Sequence, residues 1–194
     1  MVTLERNERV RELLKTLESH GPGERLHAER VAVYSVATAE KLGLDEDRLG
    51  TIRYAALLHD VGKVQVSPEI LGKIGSLTDE EMDQLRMHSW LALSVLKSYD
   101  WLRPCIPIIH RHHERWNGTG YPDGLAGVEI PLGARIVGLA EAYDAMANPV
   151  RYRSSLDEVV ALERVQEARD QDFDPEVVDA FVEVQKVIQP LIAS

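Results

Sequence analysis

Apolar residues fall at helical spacing along most of this chain, and no run of alternating β-branched residues is long enough to make a sheet. Val10, Leu13, Leu14 and Leu17 mark a first helix, broken by His20-Gly21-Pro22-Gly23. A second is expected from about Glu24 to Leu42, with Leu26, Val31, Val33 and Ala37 inward and Gly43 as its stop. Asp45 can cap a third carrying Ile52, Ala55, Ala56, Leu57 and Leu58. The capping-box spacing at Thr78-Asp79-Glu80-Glu81 predicts a fourth through Leu96, and a fifth is expected over about Arg103 to Trp116. Pro131 to Ala147 reads as a buried helix containing two acids, Glu141 and Asp144. Ser155-Leu156-Asp157-Glu158 has the spacing of another capping box, and Asp174-Pro175 places a cap before a proline at the first helical position. The expected fold class is all-α.

One stretch breaks the pattern. Residues 117–127 hold four glycines and a proline in eleven positions. A loop of that length inside a helical domain is commonly functional, although a solvated connector has the same composition.

Net charge narrows the partners. With 22 basic and 32 acidic residues among 194, the chain carries a formal charge of −10, which disfavours broad contact with a nucleic-acid polymer or an anionic membrane. No apolar run approaches the ~18 residues of a membrane span, so no membrane insertion is expected. A lone cysteine, Cys105, allows no intrachain disulfide and suits a reducing compartment. The opening residues lack a secretory stretch. These features read as a cytoplasmic protein, or a cytoplasmic part of something larger. Without an internal repeat or a Ser/Pro-rich linker, residues 1–194 read as a single domain, with 1–20 a lead-in helix and 24–190 the core. Trp90 and Trp101 read as core or interface residues.

The seven histidines carry the chemistry. Five of them, His27, His59, His88, His112 and His113, sit on predicted helices beside apolar neighbours. Any one alone reads better as an ordinary core or surface histidine. The pairs His59-Asp60 and His112-His113 change that balance, because a buried imidazole next to a buried carboxylate is costly without a strong partner such as a divalent cation. Neighbours on a helix diverge by about 100°, so adjacent ligands suggest more than one ion, with Asp60 able to bridge. A donor set of imidazoles plus carboxylates suits iron, manganese, zinc or nickel better than magnesium, and makes a magnesium-only site poor chemistry.

His59-Asp60-Val61-Gly62-Lys63, followed by His112-His113-Glu114-Arg115-Trp116-Asn117-Gly118-Thr119-Gly120-Tyr121-Pro122, resembles the HD-GYP family within the HD-domain phosphohydrolases. The likeness extends from His27 through Leu71, Lys73 and His88 to Tyr152-Arg153. It implies an HD-domain helical bundle with an irregular GYP loop. It also implies a cyclic di-GMP phosphodiesterase releasing linear pGpG and, by a second cut, GMP, through a metal-activated hydroxide. By position it implies metal ligation by His27, His59, Asp60, His88, His112, His113 and Glu141 around two divalent transition-metal ions. Asp60 and Lys63 are then the catalytic groups, with Lys63 on the phosphate; its bland alternative is complementing a helix C-terminus. Arg115, Tyr121 and Arg153 are further substrate-binding carry-overs.

This chain also departs from the family pattern. Glu141 stands where an aspartate is usual, a reach longer by about 1.5 Å, and only Tyr152-Arg153 of the later Asp-Arg-Pro-Tyr-Arg element stays in register. A glutamate that some members use for a third metal is Gly23 here, with Glu24 adjacent. Two alternatives therefore stand beside the phosphodiesterase: a weakly active signalling module binding nucleotide, protein partners or a second copy of itself, and an HD phosphohydrolase for another nucleotide.

Overall fold

The computed structural model describes residues 2–148 and 156–192, including the backbone alone at 2–3 and 188–192. Ten α-helices run along them: α1 (Val2–His20), α2 (Glu24–Lys41), α3 (Glu46–Leu58), α4 (Pro68–Leu71), α5 (Asp79–Arg86), α6 (His88–Leu96), α7 (Ile106–Arg111), α8 (Leu132–Ala147), α9 (Glu158–Glu167) and α10 (Pro175–Ile192). Among the described residues there is no strand, only isolated bridges at Asn117–Ala126 and Arg169–Phe173. No helix among them is long and apolar enough to cross a membrane. Gly43, with φ 76°, ends α2 as expected, and Asp45 accepts from the Arg48 amide at 3.0 Å to start α3.

α2 runs through the middle, packed by α3, α8 and α10, and α1 lies over α2, α3 and the 61–65 turn. Val10, Leu14 and Leu17 of α1 are buried in the same core. Tyr34, Tyr143 and Phe181 meet edge to face, with centroids 5.1–6.1 Å apart, and tie α2, α8 and α10 together.

The inner face of α2 differs from the expectation. Leu26 and Val33 are 51% and 57% exposed, whereas His27, Ala28, Val31, Tyr34, Ser35 and Thr38 are buried. Small side chains on that stripe let α3 and α8 come close, and close approach outweighs the apolarity of Leu26 and Val33. Trp90 is likewise solvent-facing, at 56% exposed, while Trp101 packs on Tyr54.

Two expected helices are shorter than their apolar patterns. The capping box at Thr78 forms, but α5 stops at Arg86, and α6 restarts at His88 after Met87 takes ψ −14°. The expected helix over 103–116 resolves into a 3-10 turn over Asp100–Cys105 and a short α7, with His112 already its C-cap. Asp157 caps α9 by accepting from the Val159 amide at 2.9 Å, and Ser155 of the expected capping box lies outside the described residues. Asp174 Oδ1 accepts from the Glu176 amide at 2.9 Å, so the cap expected before Pro175 forms.

Candidate metal centre

The truncated helices explain how the histidines are held. His59 caps the C-terminus of α3, His88 follows the last turn of α5, and His112 caps α7. Each ring places Nδ1 2.6–2.7 Å from the carbonyl oxygen three residues upstream, that of Ala56, Leu85 and Ile109 respectively. The last carbonyls of a helix have no intrahelical donor, so each ring uses one of them. Donation from Nδ1–H fixes the tautomer and leaves the Nε2 lone pair facing inward. His27, on α2, has a side-chain partner instead: Nδ1 lies 2.6 Å from Asp144 Oδ2. The fully buried Asp144 also accepts two bonds from Arg30, at 2.6 and 2.8 Å.

The ring faces converge. His27, His59, Asp60 and Glu141 form one cluster, and His88, His112 and His113 another, with donor atoms in each within 4.8 Å of one another. Asp60 stands between them: Oδ2 is 3.2 Å from His59 Nε2 and Oδ1 is 3.4 Å from His88 Nε2. His88 Nε2 lies 3.2 Å from His113 Nε2 and 3.5 Å from His112 Nε2. His59 Nε2 and Asp60 Oδ1 are buried and form no hydrogen bond. Lone pairs crowded together, with two buried polar atoms unpartnered, match the demand of bound cations. Nitrogen and oxygen donors at this density fit divalent transition metals.

Lys63 follows on a 3-10 turn, Val61–Gln65. Its Nζ is 2.6 Å from Asp60 Oδ2 and 3.2 Å from Glu24 Oε2. Burial opposes its charge, but Asp60 and Glu24 raise its pKa above the ordinary lysine value, so the ammonium is a fixed charge. Burial likewise opposes ionisation of Asp60, yet Lys63 and His59 hold its carboxyl well below the usual range.

The glycine-rich loop is not a free connector. Glu114 is buried and accepts from the amides of Asp123 at 2.7 Å and Leu125 at 3.1 Å, folding the loop onto α7. A Cβ on Gly120 would sit 2.3 Å from the Arg115 nitrogen, so only glycine fits there. Tyr121 consequently stacks on His113, with centroids 4.7 Å apart and planes 26° apart. Arg115 Nη1 lies 3.5 Å from Asp172 Oδ1. Arg153 falls outside the described residues. Glu141, a fifth exposed in its side chain, reaches to 3.7 Å from His112 Nε2 and 3.8 Å from His113 Nδ1. The sequence marks Asp144 as a buried acid, a candidate after Glu141, and gives no role to Arg30 or Glu114. Arg30 had a signal, lying three residues beyond His27 on the same helix face.

Two outcomes follow. Asp144→Asn should weaken metal binding on the His27 side by about 10- to 100-fold, and should cost roughly 3 kcal/mol as Arg30 loses its buried partner. Chelator competition and urea unfolding measure the two effects separately, and lost stability with unchanged affinity would make Asp144 structural only. The second outcome concerns pH in metal-free protein. Burial pushes His112 down to about 4, so the stability it gives is lost as pH falls from 6.5 towards 4. His59 is buried too, but Asp60 raises it to about 9; its contribution is full below 6.5 and lost as pH rises towards 9. The melting temperature should therefore peak near pH 6.5, and a flat profile from pH 4 to 9 contradicts this account.

Comparison with known proteins agrees with this geometry. A family model for the HD domain matches residues 11–177. The cyclic di-GMP phosphodiesterase response regulator RpfG of Xanthomonas campestris is 36% identical over 177 residues, covering 90% of this chain and 47% of that protein. A 3'3'-cGAMP-specific phosphodiesterase of Vibrio cholerae is 36% identical over 168 residues, covering 86% of this chain and 36% of that protein. The chain thus spans less than half the length of either relative. The solved structure of Bd1817, a HDG"Y"P protein from Bdellovibrio bacteriovorus, superposes with a TM-score of 0.67 at 24% identity, covering 84% of this chain and 52% of that one. The chain belongs to the HD-domain family and carries the HD-GYP form of its motif.

Proposed function

We propose that this chain is a metal-dependent cyclic dinucleotide phosphodiesterase that hydrolyses cyclic di-GMP to linear pGpG, with GMP as the product of a second cut. The observation that carries the reading is the pair of adjoining donor clusters sharing Asp60, with the Lys63 ammonium against the same carboxylate. His27, His59, Asp60 and Glu141 would hold one ion, and His88, His112 and His113 the other, with Asp60 offering an oxygen to each. Iron or manganese is the pair expected here, and zinc or nickel is also compatible with these donors. Residues 24–190 would form the catalytic domain, with α1 as its lead-in.

When bound, the cations supply Lewis-acid charge for the phosphate oxygens and acidify a water for attack on phosphorus. The protein supplies the rest. Water adds across one P–O bond, leaving a phosphomonoester on one side and a hydroxyl on the other. Asp60 stays ionised throughout, and the Nδ1 contacts keep the rings of His27, His59, His88 and His112 from turning. Lys63 keeps its proton and places a fixed positive charge beside the reacting diester, where negative charge grows on the leaving oxygen. In a protein of net charge −10, such local cations are what make room for an anionic substrate. Tyr121 walls the site above His113, and Arg115 and Arg153 are further substrate contacts.

Purified chain reconstituted with manganese or iron should convert cyclic di-GMP to pGpG, measured by chromatography against cyclic di-AMP and cGAMP. Absence of hydrolysis at two metals per chain would overturn the reading in favour of a binding module. Preference for another dinucleotide would redirect the substrate, as the name of the Vibrio relative allows. Glu141 is the weak point. Its carboxylate stands further from the rings than Asp60 does, so Glu141→Ala should release one ion and most of the turnover, while Glu141→Asp should raise turnover if the glutamate limits catalysis.

A further inference from the structure

Beside the metal centre, between α8 and the 172–174 segment, lies a cavity of about 200 Å³. His113 and Glu141 of the metal centre line it, together with Arg115, Trp116 and Asp172. Pockets that hold a whole drug-sized ligand start at about 300 Å³, so this one suits a single base, not a whole dinucleotide. We infer that it is a guanine subsite in which Arg115 and Asp172 read the base; the inference rests on the phosphodiesterase reading above.

The backbone around this pair is fixed while its side chains are free to engage. The Trp116 amide donates to the Asp172 carbonyl at 3.0 Å, and the Asn117 amide to that of Gln171 at 2.9 Å. The two charged side chains themselves meet only loosely, through one contact of 3.5 Å, and are 54% and 35% exposed. The neighbouring Arg135 differs. It is pinned by buried Asp174 and by the Ile130 carbonyl at 2.9 Å, and so is committed to the fold.

A donor fork beside an acceptor pair complements two adjoining edges of guanine. Guanine presents O6 and N7 as acceptors, which arginine reads with two bonds. Its adjoining N1–H and N2–H₂ are donors that a carboxylate accepts. Adenine turns an N6 amino group towards the arginine and offers no N2 amino group, so the same pair rejects it. The Arg135 guanidinium lies over the Trp116 ring, 5.7 Å from its centroid, so Trp116 walls the cavity as part of the scaffold and the base is read by Arg115 and Asp172. Reading one guanine is compatible with cyclic di-GMP and with a mixed guanine–adenine dinucleotide, and the site makes no demand on the second base.

The test uses 5′-GMP and 5′-AMP, which share a phosphate and sugar and differ only in the base. Calorimetric titration of the manganese-loaded chain should show GMP favoured at least about tenfold. Asp172→Asn and Arg115→Lys, each checked by circular dichroism, should erase that preference by weakening GMP alone. Arg115→Lys keeps the charge but loses the fork. Equal affinities in the wild type, no binding of either nucleotide, or a preference surviving in both variants would overturn the subsite and leave an ordinary surface ion pair. Hydrolysis of cyclic di-GMP without GMP preference removes the subsite alone. GMP preference without hydrolysis of any cyclic dinucleotide removes the phosphodiesterase reading and leaves the subsite standing.

Discussion

Asp60→Asn is expected to drop metal content from two ions per chain to one or none and to lower turnover by about a thousandfold. The carboxylate faces His59 and Lys63 through Oδ2 and His88 through Oδ1. An amide can present oxygen to only one of those sides. Its NH₂ on the other side would face either the Lys63 ammonium or an imidazole lone pair. Lys63 keeps Glu24 as a partner, so the helices should persist with a lower melting temperature. Elemental analysis, turnover and circular dichroism on one preparation separate these effects, and full activity with two ions bound would rule out a shared carboxylate.

Gly62→Ala is expected to be nearly as severe for a different reason. A Cβ there would sit 1.9 Å from the His88 carbonyl oxygen and 2.6 Å from the Ala92 nitrogen, both backbone atoms of α6. The clash cannot be relieved by a side-chain rotation; the turn after Asp60 must move away from α6. That motion separates Asp60 from His88. A loss of about 3 kcal/mol is expected from overpacking at a rigid contact, together with reduced metal on the His88 side. Thermal melts and elemental analysis decide it: a variant with wild-type stability and metal content would mean that α6 yields without cost. Gly138 performs the same service for α8, where a Cβ would come 2.3 Å from the His112 carbonyl oxygen.

Much of this was legible in the residues. Helical spacing, the cap at Asp45, the capping box at Thr78 and the stop at Gly43 mark local events that short stretches of sequence control. The pairs His59-Asp60 and His112-His113 drew attention in the sequence because adjacent charged and imidazole groups among apolar neighbours need a partner, and both pairs come together in the donor clusters. The helix ends at Met87 and Arg111 were not legible. Apolar periodicity continues through both, and the chain stops there because His88 and His112 take up carbonyls from the turns before them. The inward face of α2 was hidden for a related reason. Its stripe is chosen by closeness of packing and by the Asp144 contact from α8, and neither partner is visible within α2 itself. Glu114 was read as part of a motif without a task, since the amides it gathers lie nine and eleven residues downstream.

The way the rings are held has a consequence for how the centre can vary between sequences. His59, His88 and His112 are oriented by main-chain oxygens, which every amino acid possesses. Substitution at Ala56, Leu85 or Ile109 changes the side chain and leaves the orienting atom in place, so those neighbourhoods can drift without resetting a tautomer. His27 is different, because its orienting oxygen belongs to Asp144 and is itself encoded. Genetic change can therefore retune this centre through Asp144, at the α2–α8 contact, far more readily than through the carbonyls that hold His59, His88 and His112. Variation in metal preference among related sequences should concentrate on His27 and its Asp144 partner, with His59, His88 and His112 as the constant rings.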